Sequence, residues 1–421
     1  MRLKTFSLLC LAAFLVACSS GTPTAKPLQP VPTAQAATPT VRPETTATIA
    51  PTRPAPTAAS VAPTASAQLG PDTYPAGVNP LTGLVVDNPA SLNRRPIGVK
   101  VSEFPRRVRP QAGLSFADLV FEHYAEASVT RMTAIYLSNE VPKIGSIRSA
   151  RLIDIVLSQS YKLMLVTSGS SQGVLDELAK TDFYNRVIAE ATGYTKCPPL
   201  CREEGAELTT DKLFASTKDL WQITSDLGLN TAQNLHGLAF APEAPAGGQT
   251  ANTVRLVFHS EVNVAEWRYD AASKRYARWV DTATPNELAP HTDALNDQQL
   301  TAANVVVLHA HHQPTVIVED FANGGHCGYE IQIWGSGPAT LFRDGQAYEL
   351  TWVRFAPGDV IGFVGPDNKI FPFKPGNTWF EVTNLGVPTK LENGVYTSQF
   401  KGLSQLNLNC PVGNAASTPA P

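Results

Sequence analysis

Five charged residues set among neighbours of the buried type could do chemistry: Glu122 and Glu126 in LVFEHYAE, Arg131 in TRMTAIYL, and Arg148 and Arg151 in IGSIRSAR. Glutamates four residues apart fall on one face of a strand or a helix, where they suit the acid and base of glycoside chemistry. Each also has an arginine to pair with. Charges placed among Val, Ile and Leu are costly unless paired, so structural ion pairing is the favoured reading of Glu122 and Glu126.

Anion binding is the other chemistry these residues suggest. A Gly-Ser turn opening a helix leaves backbone N–H groups unpaired, and Arg131, Arg148, Ser149 and Arg151 beside it would seat a carboxylate or phosphate. Ser168 and Ser170, in the SGSS run after the strand-like YKLMLVT, extend the candidate site, because strand ends with small polar residues often hold ligands in α/β layers. Between Arg94 and Arg151 ten Lys/Arg stand against five Asp/Glu, a local basic excess. His309 and His311 in LHAHHQP share a strand face and are the candidate metal ligands, with His312 pointing away. No carboxylate stands at local spacing, so no metal is expected. A Gly-x-Ser-x-Gly elbow, a P-loop, a dinucleotide fingerprint and HExxH are all absent from the sequence, and no cofactor is expected.

The elements that must position these groups follow from hydrophobic pattern and turn signals. Strands are expected at 96–102, 119–124, 130–137 and 161–167, with a short helix before 119, a helix over Leu152–Leu157 and mostly helical material from Val174 to Gly237, including a helix after a Thr-rich cap within 207–220. The shift to APEAPAGGQTAN at 241–252 reads as a domain boundary. Beyond it, strands are expected at 254–258, 264–269, 276–280, 304–309, 315–319, 329–334, 339–343, 348–354, 360–364 and 380–382, with a hairpin turn at Asp344-Gly345. This gives an α+β (or α/β) N-terminal domain over 73–240, a β-rich C-terminal domain over 250–410 and a disordered tail over 411–421. Five tryptophans, Trp267, Trp279, Trp334, Trp352 and Trp379, fall in the second domain, where they supply core or, if exposed, a surface for stacking sugars.

The chain opens with two cations, an apolar run from Phe6 to Ala17 and then Cys18, the pattern of a signal peptide over 1–17 with cleavage before a cysteine that becomes diacylated. Such a lipid would hold the protein on the outer side of the cell membrane. Residues 18–72 are Pro, Thr and Ala with few large apolar side chains, a disordered stalk. Of the six cysteines, four remain after Cys10 and Cys18. Three connectivities are possible, and the expected one joins Cys197 to Cys201 across CPPLC and Cys327 to Cys410. With 33 Lys+Arg against 36 Asp+Glu, no global field draws the protein to nucleic acid.

The chain resembles the YerB-like family of bacterial lipoproteins. The likeness rests on Asn79-Pro-Leu-Thr-Gly83, Arg109-Pro-Gln-Ala-Gly-Leu114, Asp118, Glu122, Glu126, Thr130-Arg131 and Ile144-Gly-Ser-Ile-Arg-Ser-Ala-Arg151. It continues in Glu266-Trp-Arg-Tyr-Asp270, Asn304-Val-Val-Val307, Asp344-Gly345, Trp352 and Pro375-Gly-Asn-Thr-Trp379. Where the family usually shows Gly-Gly before Thr-Arg, this chain has Ala127-Ser128-Val129. The resemblance implies a two-domain envelope lipoprotein and assigns no catalytic residue. The leading expectation is therefore a membrane-anchored, extracytoplasmic, noncatalytic protein that binds an anionic cell-wall polymer. A glycan-acting enzyme using Glu122 or Glu126, or an adaptor for a partner protein, is the alternative.

Overall fold

The computed structural model describes residues 68–126, 129–204, 211–258, 263–320, 325–400 and Cys410. The signal peptide, Cys18, nearly all of the stalk, Ala127-Ser128, 207–210 and the 411–421 tail lie outside the described residues.

Strand-forming runs rich in Val, Ile, Phe and Tyr from both halves of the chain enter one 12-stranded sheet. In its N-terminal part Ile97–Ser102 pairs antiparallel with Thr130–Tyr136 and parallel with Met164–Val166, and Thr130–Tyr136 pairs with Leu119–Tyr124. The join is made by Thr378–Asn384, which runs parallel to Leu119–Tyr124 on one side and to Asn304–Asp320 on the other. Gly335–Arg343 and Gln346–Arg354 extend the C-terminal part. Their hairpin turns at Asp344-Gly345, both at positive φ (53° and 73°), as the Asp-Gly pair implies. A Cβ on Gly345 would meet the Tyr269 ring at 2.9 Å, so the turn has room only for glycine. At the join Phe121 stacks on Phe380 with centroids 4.3 Å apart, and both are fully buried.

A second, 7-stranded sheet contains Thr253–Val257, Val264–Asp270 and Arg275–Asp281 in antiparallel order, with Val395–Gln399 alongside. Three α-helices are described, all in the N-terminal segment: α1 (Ile153–Ser160), α2 (Gln172–Ala179) and α3 (Thr217–Asp226). The molecule is thus β-rich, with a mixed α/β N-terminal part. Both expected disulfides, Cys197–Cys201 and Cys327–Cys410, are present.

Three local expectations are corrected. The Gly-Ser turn does not open a helix: Ile144–Gly145 is a short strand against Leu213–Ala215, and α1 begins only at Ile153. The cap of α3 is Ser216, whose hydroxyl accepts the Asp219 N–H at 3.1 Å, and the region from Val174 onward alternates helices with short strands and turns. The strands expected at 304–309 and 315–319 are one 17-residue strand, because a single chain passes from the main sheet to a hairpin with His326–Gln332, shifting register after Pro314.

Candidate functional site

The join between the two segments carries an unusual pairing: Glu122 and Glu381 are register partners on adjacent parallel strands, and both are fully buried. Like charges opposite one another repel, so the arrangement requires a cation. Arg278 supplies it from the second sheet, donating to Glu122 Oε2 at 2.7 Å and to Glu381 Oε1 at 3.0 Å. Trp267 Nε1 donates to Glu381 Oε1 at 2.7 Å and Thr130 Oγ1 to Glu122 Oε1 at 2.7 Å. The guanidinium also contacts the ring faces of Trp267 and Trp379, with centroids 5.2 and 4.6 Å away. Glu103 lies 3.9 Å off and is held mainly by Arg109 at 2.8 Å. Burial and the charge of Glu122 push the Glu381 carboxyl up to about 8, and burial pushes Glu103 up to about 7.

A second buried cluster is centred on Glu126. It accepts from Arg131 Nη2 at 2.8 Å and from Arg151 Nε at 2.7 Å, and Arg151 also meets Glu319 at 3.3 Å. Burial alone would raise the Glu126 carboxyl, but the two arginines hold it down at about 2. Alongside, Lys100 Nζ donates to Asp154 Oδ1 at 2.9 Å and to Thr133 Oγ1 at 3.0 Å, and approaches His123 Nε2 at 2.5 Å. Burial lowers Lys100 to about 8 and drives His123 well below its ordinary value. Asp154, in the first turn of α1, takes the Arg151 N–H at 2.7 Å through its second oxygen. The helix entrance expected to seat an external anion is filled by this side chain.

Neither Glu122 nor Glu126 faces an open cleft: both are buried and engaged by arginine. Arg131 Nη1 donates to the Ser149 carbonyl at 2.8 Å. The Ser168–Ser170 loop packs on the 148–150 run, with Ala150 N–H on the Gly169 carbonyl (2.8 Å) and Ser168 N–H on the Arg148 carbonyl (3.1 Å). The structure therefore brings Glu126, Arg131, Ser149, Arg151 and the serine loop together. Arg148 points elsewhere, reaching Asp211 Oδ1 at 3.0 Å, and Arg107 takes Asp211 Oδ2 at 2.7 Å. Asp211 lines an open cavity of about 610 Å³ together with Arg107, Arg109, Lys143 and Lys212. Arg109 is spent on Glu103 and Asp281. Lys143 meets Glu203 at 2.5 Å, and Lys212 donates to the Glu204 carbonyl at 2.6 Å. The hydroxyl of Ser146, a buried residue on the cavity wall, has no hydrogen-bond partner.

His309 is buried with its Nδ1 2.9 Å from Thr383 Oγ1, whereas His311 is exposed and contacts Gln313. Among the described residues no group of three His, Cys, Asp or Glu is placed to hold a metal ion. Sequence reasoning passed over Lys100, His123, Asp154, Arg278 and Glu381. Each stands in an apolar run (IGVKVS, VFEHY, LIDIVL, YARWV, WFEV), the same signal that singled out Glu122.

The chain matches two family descriptions: "Protein of unknown function (DUF3048) N-terminal domain" over residues 81–230 and "Protein of unknown function (DUF3048) C-terminal domain" over 254–380. It is 27% identical over 322 residues to "Putative lipoprotein YerB" of Bacillus subtilis (strain 168), covering 74% of this chain and 88% of that one. The crystal structure of YerB protein from Bacillus subtilis superposes with a TM-score of 0.57 at 24% identity, over 72% of this chain and 96% of the other, and so shares the fold. With both segments matched in order, the chain belongs to the YerB-like DUF3048 family.

Proposed function

We propose that this is a lipid-anchored extracytoplasmic protein that binds an anionic polymer of the cell envelope without turning it over. The anchor rests on the Phe6–Ala17 run ending at Cys18 and on the lipoprotein name of the Bacillus relative. The observation that carries the binding role is the open basic cavity. Arg107, Lys143 and Lys212 line it and Arg148 joins it through Asp211, so four cations meet two carboxylates, Asp211 and Glu203. Arg107 and Lys143 keep much of their side-chain surface open to solvent, which lets them exchange an internal partner for a polymer phosphate or carboxylate. Arg131 and Arg151 act behind the surface: locked on Glu126, they fix the Ser149 carbonyl and hence the loop from which Arg148 reaches out. Glycan cleavage by Glu122 or Glu126 has no geometric support.

The test is co-sedimentation of the full chain, in detergent, with polyglycerol phosphate and with polyglucuronate on beads. A folded Arg107→Ala/Lys143→Ala double variant should bind the recognised polymer about tenfold more weakly, with a shallower salt dependence. Unchanged binding by the variant, or no binding of either polymer by the natural chain, overturns the reading.

A further inference from the structure

On a surface that shares no lining residue with the basic cavity, the structure holds a groove of about 790 Å³ between α1, α2 and the C-terminal hairpins. Its floor is apolar, from Leu152, Ile155, Ile317 and Ile331. Two aromatic side chains stand open on it: Trp334, 44% exposed, in the turn before Gly335–Arg343, and Phe355, 78% exposed, just after Gln346–Arg354. Of the five C-terminal tryptophans, Trp267, Trp352 and Trp379 are buried and Trp279 is half-buried, so Trp334 alone of these presents a largely open ring. Solvated aromatics cost free energy that a ligand face would recover.

Arg354 ties the two aromatic loops together. It is 4% exposed, and it donates through Nη1 to the Ile333 carbonyl at 2.9 Å and through Nη2 to the Pro357 carbonyl at 2.5 Å. Its Nε is shielded from solvent and makes no hydrogen bond. Around the aromatics stand planar or hydroxylated polar groups, Gln159, Thr181, Asp182 and Glu330. Apolar ring faces bordered by amide, carboxylate and guanidinium groups match a pyranose, whose axial hydrogens form a flat apolar face and whose equatorial hydroxyls radiate in the ring plane. A docking helix would instead need an unbroken apolar stripe.

We infer that this groove is a glycan-binding site that takes a β-linked pyranose chain, successive rings stacking on Trp334 and Phe355 and their hydroxyls meeting the polar groups of Gln159, Asp182 and Glu330. The carboxylates Asp182, Glu330 and Glu177 outnumber Lys180 and Arg354, so anionic sugars are disfavoured. The site stands independently of the proposed polyanion cavity.

Titration of the full chain in detergent with chitohexaose and with cellohexaose, followed by tryptophan fluorescence and calorimetry, tests it. Saturable binding of one oligomer is expected, weakened about tenfold by Trp334→Ala and by Phe355→Ala and unchanged in Arg107→Ala/Lys143→Ala. Both aromatics are exposed, so the variants should fold, and circular dichroism checks that they do. Absence of saturable binding to either oligomer, binding that both aromatic variants retain in full, or binding lost equally in the basic-cavity variant overturns the inference. The last outcome would assign the sugar to the other cavity, which keeps failure of the two readings apart.

Discussion

Replacing Arg278 by Met removes the one guanidinium that touches both buried glutamates at the join. In the natural chain it lies 2.7 Å from Glu122, 3.0 Å from Glu381 and 3.9 Å from Glu103, all three fully or almost fully buried. Removing one partner of a buried ion pair costs roughly 3–5 kcal/mol, a large part of the 5–15 kcal/mol that typically stabilises a domain. A separate route gives a similar magnitude. If the pair, left without its cation, must hold one proton more than it does in the natural chain, a carboxyl that ionises near 4.5 when unfolded costs about 3 kcal/mol to protonate at pH 7, but less than about 1 kcal/mol at pH 5. The Arg278→Met deficit should therefore shrink by roughly 2–3 kcal/mol between pH 7 and pH 5. The natural chain has a trend of the same sign. Glu381 and Glu103 are raised, to about 8 and about 7, so the native state binds more protons than the unfolded one above pH 4.5. Their contribution is fully present below 4.5 and is lost as pH rises towards 7 and 8. Glu381→Gln should flatten that slope. Urea unfolding read by tryptophan fluorescence at pH 5, 6, 7 and 8 measures all three proteins, since Trp267 and Trp379 flank Arg278. A variant as stable as the natural chain at pH 7, or a deficit that does not change with pH, would refute the reasoning.

Two further outcomes follow from the same structure. Glu126, held at about 2 against the pull of burial, contributes stability that is present above pH 4.5 and lost as pH falls through 2; Glu126→Gln should cost about 3 kcal/mol at pH 7 and almost nothing at pH 2, by acid titration followed with circular dichroism. Cys327–Cys410 closes a separation of 83 residues and Cys197–Cys201 one of 4. By loop-closure entropy Cys327→Ser should cost about 4–5 kcal/mol and Cys197→Ser about 2 kcal/mol, and urea midpoints of equal size for the two variants would count against that account.

Strands of the C-terminal half were legible because period-2 alternation and turn residues are local: Val264–Asp270, Arg275–Asp281 and the Asp344-Gly345 hairpin all stand where the pattern put them. Both disulfides were legible from cysteine spacing. The join was not, because parallel pairing of Leu119–Tyr124 with Thr378–Asn384 links segments some 260 residues apart, and nothing local announces it. The same distance hid the chemistry of Glu122. Arginines 131, 148 and 151 were the near candidates in sequence, whereas its partner is Arg278, 156 residues away. Glu126 did find its near arginines, since Arg131 follows after one tight turn on the neighbouring strand and Arg151 lies on the run that packs against it. The anion-seating helix entrance failed for a local reason, Asp154, which the sequence shows in LIDIVL and which occupies that position from inside the fold.

The buried charges make most sense as a device that fixes how the two segments meet. Glu122 and Glu381 face each other at one register only, and Arg278 reaches both only from that register. A slip of one residue would turn Glu122 to the opposite face of the sheet and leave both it and the guanidinium unpaired in the interior. An apolar pair at these positions would bury as well without naming a register. On this view a sheet whose central pairing joins distant segments gains its specificity from a costly polar contact that only the correct pairing satisfies. It follows that the conspicuous charges of the sequence are largely consumed by architecture. On the two proposals made above, recognition then falls to the groups that architecture leaves over: the cations around Asp211, which outnumber their carboxylates, and the open rings of Trp334 and Phe355.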